Sequence, residues 1–224
     1  NTMTPVSRSS RLSRPLFAGI FILCLACSDS SYEALKIKYP PESFDALFAA
    51  VKLSLVEAME TGVEGGFREI EYGEDDTGVF VRLLKGGRER GCIGFIRGVS
   101  SPEEAVKAAA VNAAFFDKRH KRLGPEELPS LEIEITVIDR LLRIRNHLDF
   151  TPGIHTIYIK LLNMKAVMQG QIIQERGYSK EEFLRAICKK GGIPETQYRE
   201  KDAEIYRANT VFMRRRFADI NTGR

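Results

Sequence analysis

The stretch Arg90-Gly91-Cys92-Ile93-Gly94 sets a thiol between two glycines, with a guanidinium two residues upstream. On a strand, alternation would place Arg90, Cys92 and Gly94 on one face and Gly91, Ile93 and Phe95 on the other. The first set joins a cation, a thiol and uncrowded backbone. An adjacent arginine favours the thiolate, the form that attacks electrophiles. The pattern therefore predicts Cys92 as nucleophile or covalent carrier, with Arg90 lowering its pKa and holding ligand charge. A competing reading makes Cys92 a small buried hydrophobe. Glycine inside a strand costs stability and often marks close backbone approach, so Gly91 and Gly94 call for a reason of their own.

A second group, Asp117-Lys118-Arg119-His120, follows an alanine-rich segment. An acid, a guanidinium and an imidazole within four residues could form a titratable edge, with Asp117 as acid/base or orienting group. Cations completing the dipole at a helix C-terminus would explain Lys118 to His120 equally well, though not Asp117. His155 follows Pro152-Gly153 in a strand pattern, and His147 lies in a loop pattern. None of these histidines has a recognisable metal-ligand spacing with Cys92, so no metal site is expected. Cys188 lies on the apolar side of a helical pattern with Phe183 and Leu184 and reads as core. Cys92 and Cys188 are either bridged or free. The chain has no phosphate loop, dinucleotide fingerprint or nucleophile elbow, and it points to no particular cofactor.

The elements that must position these residues follow from periodicity. Phe44, Leu47, Phe48, Val51, Leu55 and Met59 recur at helical spacing before Gly62. Residues 63–78 are glycine-rich and acidic, hence loop. Val79 to Leu84 and Glu89 to Ile96 read as strands joined by a turn at Lys85-Gly86-Gly87-Arg88. Ser101-Pro102-Glu103-Glu104 opens a helix with a capping box, and that helix continues on alanines. Residues 131–139 alternate cleanly. Strands are expected at 154–160, 165–168 and 204–213, and a second capping box, Ser179 with Glu182, starts a helix ending at Gly191. Helices interspersed with hairpins argue for an α+β fold.

The composition, 43% hydrophobic and 29% charged, describes a folded globular chain. Its net charge of +4 owes much to Arg8, Arg11 and Arg14, without which 31 basic residues face 30 acidic ones. A near-neutral body gives no electrostatic case for binding nucleic acid, and Arg214-Arg215-Arg216 reads as a solvated end. Those three leading arginines precede a 12-residue apolar stretch, Pro15 to Ala26. As a helix it would cover about 18 Å, short of a ~30 Å hydrocarbon core, which is the layout of a signal peptide. Ala26-Cys27 resembles a lipobox, so residues 1–27 are expected to be a leader and Cys27 a lipidated N-terminus. The protein would then be exported and membrane-anchored through its N-terminal lipid. A downstream start would leave it cytoplasmic. Residues 28–40 read as a tether, 41–217 as the domain and 218–224 as a tail.

The segment "GVFVRLLKGGRERGCIGFI" resembles the R-G-C-I-G region of the AMMECR domain family. The alanine-rich helix leading into "DKRH", the segment "PGIHTIYI" and the stretch "GYSKEEFLRAICKKGGIP" are similar to further motifs of that family, in the same order. The resemblance implies a single α+β domain of two unequal lobes, mostly antiparallel sheet with packed helices, and a cleft between the lobes. It carries Arg90, Gly91, Cys92, Ile93, Gly94, Asp117, Arg119, His155, Gln171, Glu182 and Cys188 as matching positions. His120 joins the ligand-binding candidates Arg90, Gly91, Ile93, Gly94, Arg119 and Gln171. Lys118, Thr156 and Gly170 depart from the family pattern. In bacteria the family belongs to the AmmeMemoRadiSam system, so Memo-like and radical SAM proteins are the implied partners. The family supplies no reaction. Two functions stay open: an enzyme or enzyme-like component that acts on a small anionic ligand through Cys92, Asp117 and His155, and a non-catalytic ligand-binding or adaptor module.

Overall fold

A computed structural model of the chain describes residues 30–63, 66–74 and 76–223. The apolar spacing after Pro41 forms helix α2 (Ser43–Thr61), whose Phe44, Leu47, Phe48, Val51 and Leu55 are all buried. Strands β1 (Gly78–Lys85) and β2 (Arg88–Phe95) form the expected hairpin. Gly86 and Gly87 turn it at φ of 57° and 72°, a left-handed pair that side chains rarely adopt. Helix α3 (Pro102–Phe115) is capped by Ser101, whose hydroxyl accepts the Glu104 N–H at 3.3 Å. The box is half-formed, because the Glu104 carboxylate turns to Lys107 instead.

The alternating segment becomes β3 (Leu131–Ile138), with Leu131, Ile133, Ile135 and Val137 in the core. Strands β4 (Leu142–Ile144), β5 (His155–Leu161) and β6 (Met164–Met168) follow. A two-turn helix α4 (Gln171–Arg176), α5 (Lys180–Lys190) and the long β7 (Glu204–Arg216) complete the fold. At the start of α5 both halves of the Ser179/Glu182 capping box are present.

All strand pairs are antiparallel, in the order β2-β1-β3-β7-β5-β6, with β4 also on β7. Strand β7 belongs to two lobes at once. Residues 210–216 pair with β3, and residues 204–209 pair with β5. Helices α2 and α3 bury one face of the first half, while α4 and α5 pack on the second half around Phe183, Leu184 and Ile187. The fold is α+β with two unequal lobes.

Two expected segments are folded where they are described. Within the expected tether, Ser30–Lys38 form helix α1, which buries Leu35 and rests on β7. The Ser31 hydroxyl there accepts from Asn209 Nδ2 at 2.7 Å. The tail also packs, since Ile220 is buried and its carbonyl accepts from Lys52 Nζ at 2.8 Å. The leader and Cys27 lie outside the described residues. Among those described, no helix is long and apolar enough to cross a membrane.

Candidate functional site

The register of the hairpin decides which side chains accompany the thiol. Leu83 pairs with Gly91, but Leu84 pairs with Glu89, so Arg90 is the extra residue of a β-bulge. The bulge breaks the alternation on which the Arg90–Cys92 pairing was predicted. Glu89, rather than Arg90, shares the face of Cys92 and Gly94. Arg90 leaves the thiol and clamps the 121–127 segment, donating to the carbonyls of Lys121 and Arg122 and to Glu127 Oε2 at 2.8 Å. Arg90, helped by Lys85, pulls the Glu127 carboxyl down to about 2. The cations that do lie near the thiol are Lys190, Arg119 and Arg82, the last directly opposite Cys92 on β1.

Cys92 itself is 6% exposed. Its N–H donates to Asp117 Oδ2 at 2.9 Å, its carbonyl accepts from Arg119 Nη2 at 3.0 Å, and Gln169 Nε2 lies 3.7 Å from Sγ. Burial pushes the thiol up, and the three cations do not overcome it. Cys92 is therefore a thiol at neutral pH, contrary to the activation expected from Arg90. Cys188 is likewise free and fully buried, as its apolar neighbours suggested.

Gly91 has a packing reason. A Cβ there would stand 2.1 Å from the carbonyl oxygen of Ala113, so α3 lies directly on the β2 backbone. Small side chains on α3 make that approach possible. Gly94 is pressed by the Phe80 ring, 2.2 Å from where its Cβ would be. Ile93, counted among the ligand candidates, packs against the larger core.

The other candidates fall into separate places. Asp117 is buried and uses both oxygens: Oδ2 takes the Cys92 N–H and Arg119 Nη2, and Oδ1 takes the Arg119 N–H and Nε. Burial alone would raise its carboxyl; these hydrogen bonds win and hold it below the usual range. Glu89, Asp117 and His120 offer ligand atoms within 4.8 Å of one another. The Arg119 guanidinium already occupies that cluster, at 2.9 Å from Glu89 and 2.7 Å from Asp117. His155 caps a turn, its Nδ1 accepting the Thr151 N–H at 2.7 Å. His147 packs edge-on against Tyr198.

Gln171 does not face an open cleft. It is buried and donates to Glu134 Oε1 at 3.0 Å and Thr136 Oγ1 at 2.9 Å, tying α4 to β3. Beneath it runs a cross-strand row, Cys92–Arg82–Glu134–Arg214. Glu175 of α4 closes this row by pairing with Arg82 at 2.7 Å and with Arg214. Sequence reading missed this network, although a lone arginine in "VFVRLL" and two acids in "LEIEIT" were its signal. Two departures from the expected pattern answer each other. The Thr156 hydroxyl accepts from Gly170 N–H at 3.3 Å, and a Cβ on Gly170 would stand 2.7 Å from the His155 carbonyl oxygen.

Past Gly94 the two lobes diverge around a cavity of about 650 Å³. Phe80, Gly94 and Ile96 line it from the first lobe, and Tyr158, Tyr206 and Val167 from the second. Arg97, Arg140, Lys160 and Lys165 also line it, against the single acid Asp76 among the described residues. Burial raises the Tyr158 phenol, in spite of Lys160 and Arg97 nearby, so its ring stays neutral. The predicted inter-lobe cleft is thus present, but Gly94 is the only glycine or cysteine of the central motif that reaches it.

Residues 44–212 match the family model described as AMMECR1. A protein of Methanothermobacter thermautotrophicus is 29% identical over 76% of this chain and 95% of its own length. One from Aeropyrum pernix is 32% identical over 78% of this chain and 81% of its own. The crystal structure of the uncharacterized protein PH0010 from Pyrococcus horikoshii superposes with a TM-score of 0.66 at 24% identity, over 75% of this chain and 89% of that one. That structure supports the fold alone, and the names of the two relatives state no activity.

Proposed function

The chain belongs to the AMMECR1 family, and from that premise we propose that it is a binding module that holds a small anionic ligand non-covalently between its lobes. The observation that carries this reading is the cleft itself, with four cations and one acid among its described lining residues. A cavity of about 650 Å³ suits a small molecule. Clustered cations at a concave surface raise the local concentration of anions. The chemistry around Cys92 favours binding over covalent catalysis. Its sulfur is buried and kept protonated, Asp117 has its oxygens filled, and His155 caps a turn. A module of this kind would deliver or sense its ligand for partner proteins, with Memo-like and radical SAM proteins as the family's candidates.

Isothermal titration with inorganic pyrophosphate tests the reading. Saturable binding that weakens tenfold or more in the double variant Arg97→Gln/Lys165→Gln, and that persists in Cys92→Ser, is the expected result. No saturable heat, or binding indifferent to the double variant, overturns it. Binding abolished by Cys92→Ser in a protein that keeps its melting temperature would restore the covalent reading.

A further inference from the structure

Strand pairing orders the second lobe's wall of the cleft into two adjacent rows. Tyr158 on β5 lies directly opposite Tyr206 on β7 and Val167 on β6, and the two tyrosine rings are 5.8 Å apart, tilted by 41°. Two residues further along, Lys160 lies opposite Lys165 and Glu204. Alternation puts residues i and i+2 on one face, about 7 Å apart. A platform of aromatic rings therefore stands one strand repeat from a pair of lysines.

The charges within this second row are not equivalent. Lys160 is shared with Glu204 at 3.4 Å, and Glu204 also accepts the hydroxyl of Tyr206. That hydrogen bond anchors the Tyr206 ring at its tip. Lys165, Arg97 and Arg140 have no ion-pair partner among the described residues and line the same cavity. On the opposite wall Phe80, Gly94 and Ile96 are apolar, Gly94 having no side chain where Phe80 lies against the strand, while Arg97 and Asp76 carry that wall's charge.

From this arrangement we infer that the ligand of the cleft is a flat ring joined to a phosphate-like dianion, of the size of a mononucleotide. The ring lies on the Tyr158–Tyr206 platform, and the dianion lies about one strand repeat away, on Lys165 with Arg97 and Arg140. This inference rests on the anion-binding reading above and specifies its ligand class. Ring stacking on aromatic side chains is worth roughly 1–3 kcal/mol per ring, about five- to 150-fold in affinity. The same stacking tolerates different rings, because every aromatic ring presents a π-face.

Titrations with inorganic phosphate, phenyl phosphate, adenosine 5′-monophosphate and adenosine separate the two layers of the argument. The expected order is adenosine monophosphate and phenyl phosphate at least fivefold tighter than inorganic phosphate, with adenosine alone weaker than its phosphate. Tyr158→Leu is expected to erase the advantage of the ring while leaving phosphate affinity unchanged, and Tyr158→Phe to restore it. The Phe variant also controls for folding. If phosphate binds as tightly as its aryl esters, or if Tyr158→Leu weakens all three phosphates equally, the ring inference falls and anion binding stands. If no phosphate binds, both fall.

Discussion

At the scale of single residues, the motif that looked most like chemistry is largely about backbone. Gly91 exists because Ala113 of α3 presents its carbonyl 2.1 Å from where a side chain would begin. Gly91→Ala must push helix and strand apart, and overpacking of this kind costs roughly 1–3 kcal/mol or more. A melting temperature several degrees below the parent's is expected, with a surface change such as Lys118→Ala as control; an unchanged melt would mean that α3 does not lie on this strand. Cys92 carries the second expectation at this scale. Burial raises its thiol, so iodoacetamide should label Cys92 of the folded protein slowly at neutral pH and no faster than Cys188, as read by peptide mass mapping. Denaturant should release both. Rapid labelling of Cys92 in the folded state would contradict its burial. The glycine signal was legible in sequence because glycine in a strand needs a cause. The Arg90 placement was not, because one bulged residue reverses every face assignment upstream of it.

The elements explain what the displaced arginine does. Arg90 and Lys85, from the two strands of the hairpin, converge on Glu127 in the short helical turn Pro125–Ser130. They hold the carboxyl at about 2, well below its ordinary 4.5. A carboxyl depressed on folding contributes stability that is fully present above its unfolded pKa and is lost as pH falls through the folded one. The clamp should therefore weaken between about pH 4.5 and pH 2. Glu127→Gln is expected to lower stability at pH 7 by on the order of 1 kcal/mol, after solvent screening, and to flatten the acid limb of the stability curve. Urea titrations at a series of pH values measure this; parallel curves for parent and variant would remove the clamp from the account. Elements with strong periods or caps, such as α2, β3 and α5, could be read directly from the sequence. Helix α1, with only Leu35 buried, and the two-turn α4 could not, because tertiary contacts rather than local pattern hold them in place.

At the scale of the whole molecule, two lobes share β7, and they are joined by a small apolar cluster of Phe80, Ile138 and Ala208, with Val167 packed on it, and by a buried ionic group. Glu134 is buried between Arg82 and Arg214, and Glu175 reaches across from α4 to the same two guanidiniums. The group is charge-neutral, and Gln171 takes part of the remaining acceptor capacity of Glu134. Removing one member of a buried ion set costs about 3–5 kcal/mol because the partners stay buried and underpaired. Glu134→Gln should incur that full loss and lower the global melt. Glu175 is one-third exposed, so water can replace it, and Glu175→Gln should instead free α4 locally. Hydrogen exchange then gives a pattern that a general loss of stability would not: faster exchange confined to residues 171–176 in Glu175→Gln, with β1 and β3 unchanged. Because α4 follows closely on β6, whose Val167 lines the cleft and packs on the Phe80 cluster, the ionic group and that cluster act together on the spacing of the cleft's two walls. Exchange that rises evenly through both lobes in Glu175→Gln would show that this ionic group stabilises the fold as a whole and does not act as a latch between lobes.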